Sequence, residues 1–427
     1  MDQADRLREP LLAKGSVARA ENTDSSGFFA AGSKASSVVV LISAAIGTGV
    51  LALPYGVSRV GVLPALCYFA LAGFAASSSN IILFRCAHKT GLSSYGELMT
   101  GILGRSGAML LDAFVFVEGL AAVSTYFVFI MDYVPQICEL GGPDVWCTDR
   151  GKVITVAGLI VWPLSCLKGL SALRWTSTCS LVTIIFTALV VVVKAPGLFA
   201  KTGVPLGEAS SGFHGGVLGG FQVLSMACFA FMVHSNTPEI AHAMSSRGAS
   251  SIKQVVVSQA GILWAAYAFL ALGGYLSFLA DTNQDFLTNY EVHDFFVIIC
   301  RCMLSVTLIF ACPINAFPSV QALFNIFEDF RQDPPNGKTK VPLYEMDMIR
   351  VPVATACVAI SLLVAIRTPH IAELIGGIGA FLSSPLMFAF PAMMYVRILK
   401  GRDIFLPSFL VVLTFALWGA ELLRLFS

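Results

Sequence analysis

The sequence predicts an all-α polytopic membrane protein, and three observations carry that prediction. Of 427 residues, 56% are hydrophobic and only 12% charged, with a mean hydropathy of +0.78; a soluble domain averages about 25% charged residues. The apolar residues gather into eleven stretches on the scale of the ~20 residues that cross a hydrocarbon core. These are 37–57, 62–84, 107–137, 152–170, 175–199, 216–235, 254–280, 293–327, 349–367, 370–397 and 404–426. Finally, the first stretch is broken near its middle and the sixth at its end by residues that helices avoid. The expected surroundings are therefore a lipid bilayer, and a net charge of +1 gives nucleic acid no footing.

Residues 1–35 read as a disordered cytosolic tail, and 36–427 as one membrane domain. The tail mixes Arg6, Arg8, Glu9, Lys14, Arg19 and Glu21 with Gly and Ser, and lacks the apolar core of a cleavable signal. Most of the 27 Lys and Arg residues fall in the tail or in connections on its side of the membrane. By the positive-inside rule the N-terminus is cytosolic, and an odd span count puts Ser427 outside. Glu9-Pro10-Leu11-Leu12 loosely resembles an acidic dileucine sorting signal, so the membrane of residence is left between the plasma membrane and a lysosome- or vacuole-like one. The connection 91–104 is amphipathic and suits a short interfacial helix. Asp333-Pro334-Pro335-Asn336-Gly337 reads as a solvated turn. The 11 cysteines include no CxxC and no Cys/His cluster, so no metal site is expected. Cys138 and Cys147 flank a polar loop on the outer face, where an oxidising compartment permits a disulfide.

The break in span 1 is Gly47-Thr48-Gly49, followed by Pro54. Each Gly costs about 1 kcal/mol relative to Ala inside a helix. Irregular backbone at membrane depth is tolerated where it is buried in protein or lines a cavity. Close packing of helices on small residues accounts for the same stretch equally well. The break in span 6 is His234-Ser235-Asn236-Thr237-Pro238, and Pro238 forbids a helix running through Thr237. Interruptions at matched positions are the pattern of two five-helix halves related by inverted topology, a 5+5 repeat. Residue identity between the halves does not show the repeat.

These residues resemble the amino acid/auxin permease family, which includes proton-coupled, sodium-coupled neutral and vesicular amino acid transporters. The resemblance rests on Gly47-Thr48-Gly49-Val50-Leu51-Ala52-Leu53-Pro54, Ser94-Tyr95-Gly96-Glu97-Leu98, Phe229 to His234 with Pro238-Glu239-Ile240, Arg301 with Pro313 to Pro318, and Glu373-Leu374-Ile375-Gly376-Gly377. It covers nearly all of residues 36–426. It implies a LeuT-like core of eleven helices with substrate between spans 1, 3, 6, 8 and 10. In sodium-coupled members an Asn in span 1 and a Thr in span 8 help bind the ion. Here those positions fall at Ser43 and among Val306, Ile309 and Ala311. Loss of those oxygens favours protons over sodium, and no other cofactor is implied.

The candidate substrate-binding residues are Ala44, Gly47, Thr48 and Gly49 in span 1, Tyr126 in span 3, Phe229, Phe231, His234, Ser235 and Asn236 in span 6, and Ser305 in span 8. Backbone N–H groups freed near Gly47 suit a substrate carboxylate at the positive end of a half-helix. Carbonyls freed at the second break suit an ammonium. Phe229 and Phe231 fit pocket and core equally, and Ser305 and Thr307 fit a bond to their own helix as well as a pocket lining. Glu118, near the centre of span 3, is costly in a membrane and is the first proton-coupling candidate, beside a structural hydrogen bond to another helix. His234 is the second, beside a histidine satisfied by a nearby carbonyl. Arg301, with His293 and Asp294 upstream, marks the outer end of span 8 as a snorkelling arginine or one arm of a gate pair.

The functional expectation is a secondary active transporter of amino acids, neutral ones foremost, proton-coupled and working by alternating access. The sequence carries no nucleophile–base pair or nucleotide loop, so an enzyme is not expected. An amino-acid sensor signalling through its tail, or a transporter of another small metabolite, are the alternatives. Oligomeric state is not legible.

Overall fold

The computed structural model describes residues 32–142, 145–167, 174–205, 215–331, 342–368 and 370–426. Nearly all of the tail, the Glu9–Leu12 motif and the Asp333–Gly337 turn lie outside the described residues. The described residues form helices and no strand.

The first span is a broken pair, α1 (Lys34–Ala45) and α2 (Leu53–Val60), joined by a 3-10 turn over Thr48–Ala52. Ser33 caps α1 by accepting from the Ser36 N–H at 3.1 Å. The chain leaves α1 through Ile46 and Gly47 in extended conformations, and the two pieces meet at 58°. Pro54 at the start of α2 lacks only an N–H that the first turn does not use. After α3 (Val62–Thr90), α4 (Tyr95–Cys138) opens with a reciprocal cap, in which Ser94 accepts from the Glu97 N–H and Glu97 from the Ser94 N–H. A kink at Gly104, φ 65°, sets residues 95–103 apart from the long span as a short helix of their own. It falls where the amphipathic connection predicts one.

Then follow α5 (Arg150–Ser165), α6 (Arg174–Thr202), the second broken pair α7 (Gly216–Ala230) and α8 (Thr237–Ala243), α9 (Ala249–Phe278), α10 (Phe295–Phe330), α11 (Asp347–Arg367), α12 (Ile371–Leu399) and α13 (Phe405–Phe426). Helix is present at each of the eleven predicted spans. Eight described helices are long and apolar enough to cross a membrane, and nine with the α1–α2 pair. The two predicted spans that fall short are α5, at 16 residues, and α7, at 15, which its break ends at Phe231. α12 carries three π-helical stretches, Gly379–Ser383, Pro385–Ala389 and Tyr395–Leu399.

The helices sort into two packed groups. α4, α5, α10 and α11 all touch one another, and α10 lies along the length of α4. α1, α2, α3, α7, α8 and α9 form the second group, with α6 reaching both through α9 and α10. The first break lies on the side of the second group that faces α4. Cys138 and Cys147 are joined in a disulfide at a sequence separation of 9.

The paired breaks and their surroundings

The two breaks press directly on each other. A Cβ on Gly49 would lie 2.9 Å from the Cα of Ala230, 3.0 Å from Phe229 Cδ1 and 3.1 Å from the Ala230 Cβ. Real carbon contacts sit near 3.5–4.0 Å, so only glycine lets the chain approach this closely. Gly49 thus serves helix packing. Gly47 is roomier: a Cβ there would meet the Tyr126 hydroxyl at 3.4 Å. Thr48 is buried and its hydroxyl lies 2.8 Å from that of Thr125 on α4. Gly47, Thr48 and Tyr126 are therefore brought together where α1 ends. Ala44, one turn earlier, is exposed.

One residue the sequence reading overlooked holds both breaks. Tyr267, on α9, is fully buried, and its hydroxyl lies 2.8 Å from the Ala230 carbonyl oxygen and 3.3 Å from that of Ala45. Those carbonyls belong to the last residues of α7 and α1, the acceptors each helix leaves without an intrahelical donor. Neither has a backbone donor among the described residues outside the helices. The Phe231 ring meets the Tyr267 ring edge-on, centroids 5.1 Å apart. Phe231 is therefore packed between α3 and α9, whereas Phe229 remains half-buried beside Gly49. The signal for Tyr267 was a tyrosine near the middle of a largely apolar span, one of two there with Tyr275.

The second break is fastened to α3 rather than aimed at the first. His234 is fully buried, with Nε2 2.7 Å from the Ser79 hydroxyl. Ser79 has carbonyl acceptors of its own on Ala75 and Ala76, at 2.9 and 3.0 Å. Its single proton satisfies those, so His234 Nε2 is the donor to it. Thr237 donates to Asn80 Oδ1 at 2.7 Å, and His88 Nε2 to the Ala241 carbonyl at 2.7 Å. His234 thus sits with α3, bonded to a hydroxyl rather than to the carbonyl expected of a structural histidine. Ser235 is half-buried and Asn236 exposed. The Ser305 hydroxyl bonds the carbonyl of Arg301 in its own helix at 2.8 Å, and Thr307 meets Thr183 of α6 at 3.1 Å.

Glu118 lies in the wall between α4 and α12. It is 9% exposed and accepts from the Ser383 hydroxyl at 2.8 Å. Ser383 ends the first π-helical stretch of α12, and such stretches gather at functional sites. That stretch is pressed onto α7, since a Cβ on Gly379 would lie 1.8 Å from the Ser225 carbonyl oxygen. An acid on one helix group is thereby linked through α12 to the broken span of the other.

Arg301 does not snorkel, and it pairs with neither Asp294 nor His293. It is fully buried and donates to the carbonyls of Leu287 and Tyr290, both at 2.9 Å. The 279–294 connection folds over it and keeps it from the surface. Beside it Asp285 accepts from the Tyr133 hydroxyl at 3.0 Å, and Asp294 pairs instead with Lys194 at 2.5 Å. Among the described residues no group of three or more His, Cys, Asp or Glu side chains could hold a metal.

The family model for transmembrane amino acid transporter proteins matches residues 30–418. The chain belongs to that family. Over 380 residues it is 25% identical to a protein of Xenopus laevis named sodium-coupled neutral amino acid transporter 7, covering 86% of this chain and 81% of that one. It is 25% identical to human solute carrier family 38 member 8 over 373 residues, 84% and 83% of the two chains. A Toxoplasma gondii protein named putative amino acid transporter AAT1 is 27% identical over 306 residues, which are 71% of this chain but 42% of that one. These relatives are transporters rather than enzymes. Two solved structures share the fold at 13% identity, each with a TM-score of 0.56 over 91% of this chain. They are MhsT in complex with L-phenylalanine, 97% of which is covered, and Mhp1, a nucleobase-cation-symport-1 family transporter in a closed conformation, of which 90% is covered. The chain is an integral, multi-pass member of an amino acid transporter family.

Proposed function

We propose that this protein is a secondary active transporter of amino acids, neutral ones foremost, that couples uptake to protons and works by alternating access. The observation that carries the reading is the contact of two helix breaks at Gly49 and Ala230, with Gly47, Thr48 and Tyr126 gathered beside it. A substrate carboxylate is received by N–H groups near Gly47 and the Tyr126 hydroxyl; the ammonium meets carbonyls of the second break. The two helix groups then rock about this region, α4, α5, α10 and α11 as scaffold. The matched breaks fit a LeuT-like 5+5 repeat of eleven spans. Glu118 is the proton carrier of this scheme, because it is buried and bonded across to α12, which packs on the broken span. Apolar side chains at Val306, Ile309 and Ala311, where a sodium site would want oxygen, argue for protons.

The test is uptake of a mixed panel of labelled amino acids into proteoliposomes under an imposed proton gradient, a sodium gradient or neither. Proton-driven accumulation is expected. Sodium-driven accumulation refutes the coupling, and saturable binding without flux under any gradient refutes the transport reading.

A further inference from the structure

We propose that the Tyr267 hydroxyl fills, between the two breaks, the position a coupling cation would otherwise take, so that this chain joins its broken helices by a side chain rather than by sodium. The inference deepens the proton-coupled reading above and rests on it for its functional meaning. Breaks in membrane helices release carbonyls at the negative ends of half-helices, and such carbonyls are where transporters bind their cations. Here α1 and α7 each end in such a carbonyl, at Ala45 and Ala230, and one hydroxyl reaches both. A hydroxyl has one proton, so the 2.8 Å bond to Ala230 is the firm one and the 3.3 Å contact to Ala45 the weaker. The bridge is asymmetric and yields first on the α1 side. Edge-on contact with Phe231 fixes the tyrosine ring, and Tyr267 is fully buried, so no water competes for the two oxygens. Thr125 donates to the Ala122 carbonyl at 2.7 Å, so Thr48 donates to Thr125 and its proton is not free for either carbonyl.

Removing the hydroxyl uncovers two carbonyls inside the membrane and clears the space between them, which is the makings of a cation site. Purified wild type and Tyr267→Phe are melted in sodium, lithium and choline chloride. The wild type is expected to melt at one temperature in all three. Tyr267→Phe is expected to melt lower in choline and to be raised by several degrees in sodium or lithium. A sodium-specific rise in the wild type overturns the proposal, as does a Tyr267→Phe protein indifferent to the cation. Should Tyr267→Phe not survive purification, binding of radiolabelled sodium to the wild type is measured in its place; none is expected, and saturable binding overturns the proposal. The melts need no substrate. Failure of the wild type to take up any amino acid would therefore refute the transport reading while leaving this comparison intact.

Discussion

Alanine at Gly49 and alanine at Gly47 separate packing from binding, two residues apart on the same break. At Gly49 the added methyl would sit 2.9–3.1 Å from three carbons, two of them in Ala230, one a backbone atom. The shortfall from a normal carbon contact is about half an ångström or more. Forcing an extra carbon into a packed interior costs about 1–3 kcal/mol, offset by the 0.4–1 kcal/mol that Gly→Ala gains by stiffening the unfolded chain. The expected net is a destabilisation of about 1–2 kcal/mol, seen as a melting point lower by a few degrees, with uptake falling because α7 is pushed off α1. At Gly47 the backbone is extended, φ −142° and ψ −160°, which any residue adopts. Its methyl would only touch the Tyr126 hydroxyl, at 3.4 Å. Gly47→Ala is expected to melt like the wild type and to raise the KM for uptake several-fold. Paired thermal melts and uptake kinetics check both variants. A Gly49→Ala protein with unchanged melting point would refute the close approach of the breaks, and a Gly47→Ala protein with unchanged KM would remove Gly47 from the binding site.

Other expectations are open to measurement. Glu118→Gln keeps the Ser383 bond partner in place but removes the titrating group, so counterflow exchange persists and pH-driven accumulation disappears; unchanged pH dependence of uptake would rule Glu118 out. Replacing both Cys138 and Cys147 by serine opens a loop of sequence separation 9. It costs on the order of 2–3 kcal/mol on the chain-entropy model, visible as a lower melting point that reductant no longer changes. Arg301→Met strips the donors from the Leu287 and Tyr290 carbonyls and leaves Asp285 without its neighbouring cation. Leaving the two buried carbonyls without donors costs about 1–3 kcal/mol each, and the 279–294 connection should become accessible to protease. Burial pushes the Asp285 carboxyl well above the usual carboxylate range; Asp132 adds to this, and Tyr133, the Leu287 N–H and Arg301 oppose it. A carboxyl with a raised folded-state pKa binds more protons folded than unfolded. Its contribution is thus fully present below about pH 4 and is lost as pH rises through the folded value. Asp285→Asn should flatten the pH dependence of the melting point above pH 4, and an unchanged slope would argue against it.

The spans were legible because burial in lipid writes itself into composition, and the breaks because Gly47, Gly49 and Pro238 each carry a local backbone cost. Which way the broken ends turn was not. The direction of His234 depends on the rotation of a short irregular segment that follows no helical period, and its partner Ser79 lies 155 residues earlier. Tyr267 reaches a carbonyl 222 residues away, and only the packing of α9 against both breaks brings them together. Arg301 reads as a surface arginine from its place near a span end, until the connection before it folds back and supplies two carbonyls. Glu118 was visible as a charge in an apolar span, but its partner Ser383 was one of two adjacent serines in span 10 with no local mark to set it apart.

The fastenings of span 6 decide where strain goes when the molecule changes shape. Its first piece, α7, is tied to α1 through Tyr267, while α8 is held to α3 through Asn80 and His88, and His234, just before α8, through Ser79. Residues 231–233 are thus the joint between two clamped shafts rather than slack in a single rod. If the proposed alternating access holds, a pair of distance probes on α3 and α8 would stay mute as the protein turns over, whereas the same pair on α7 and α8 would register each swing of the joint.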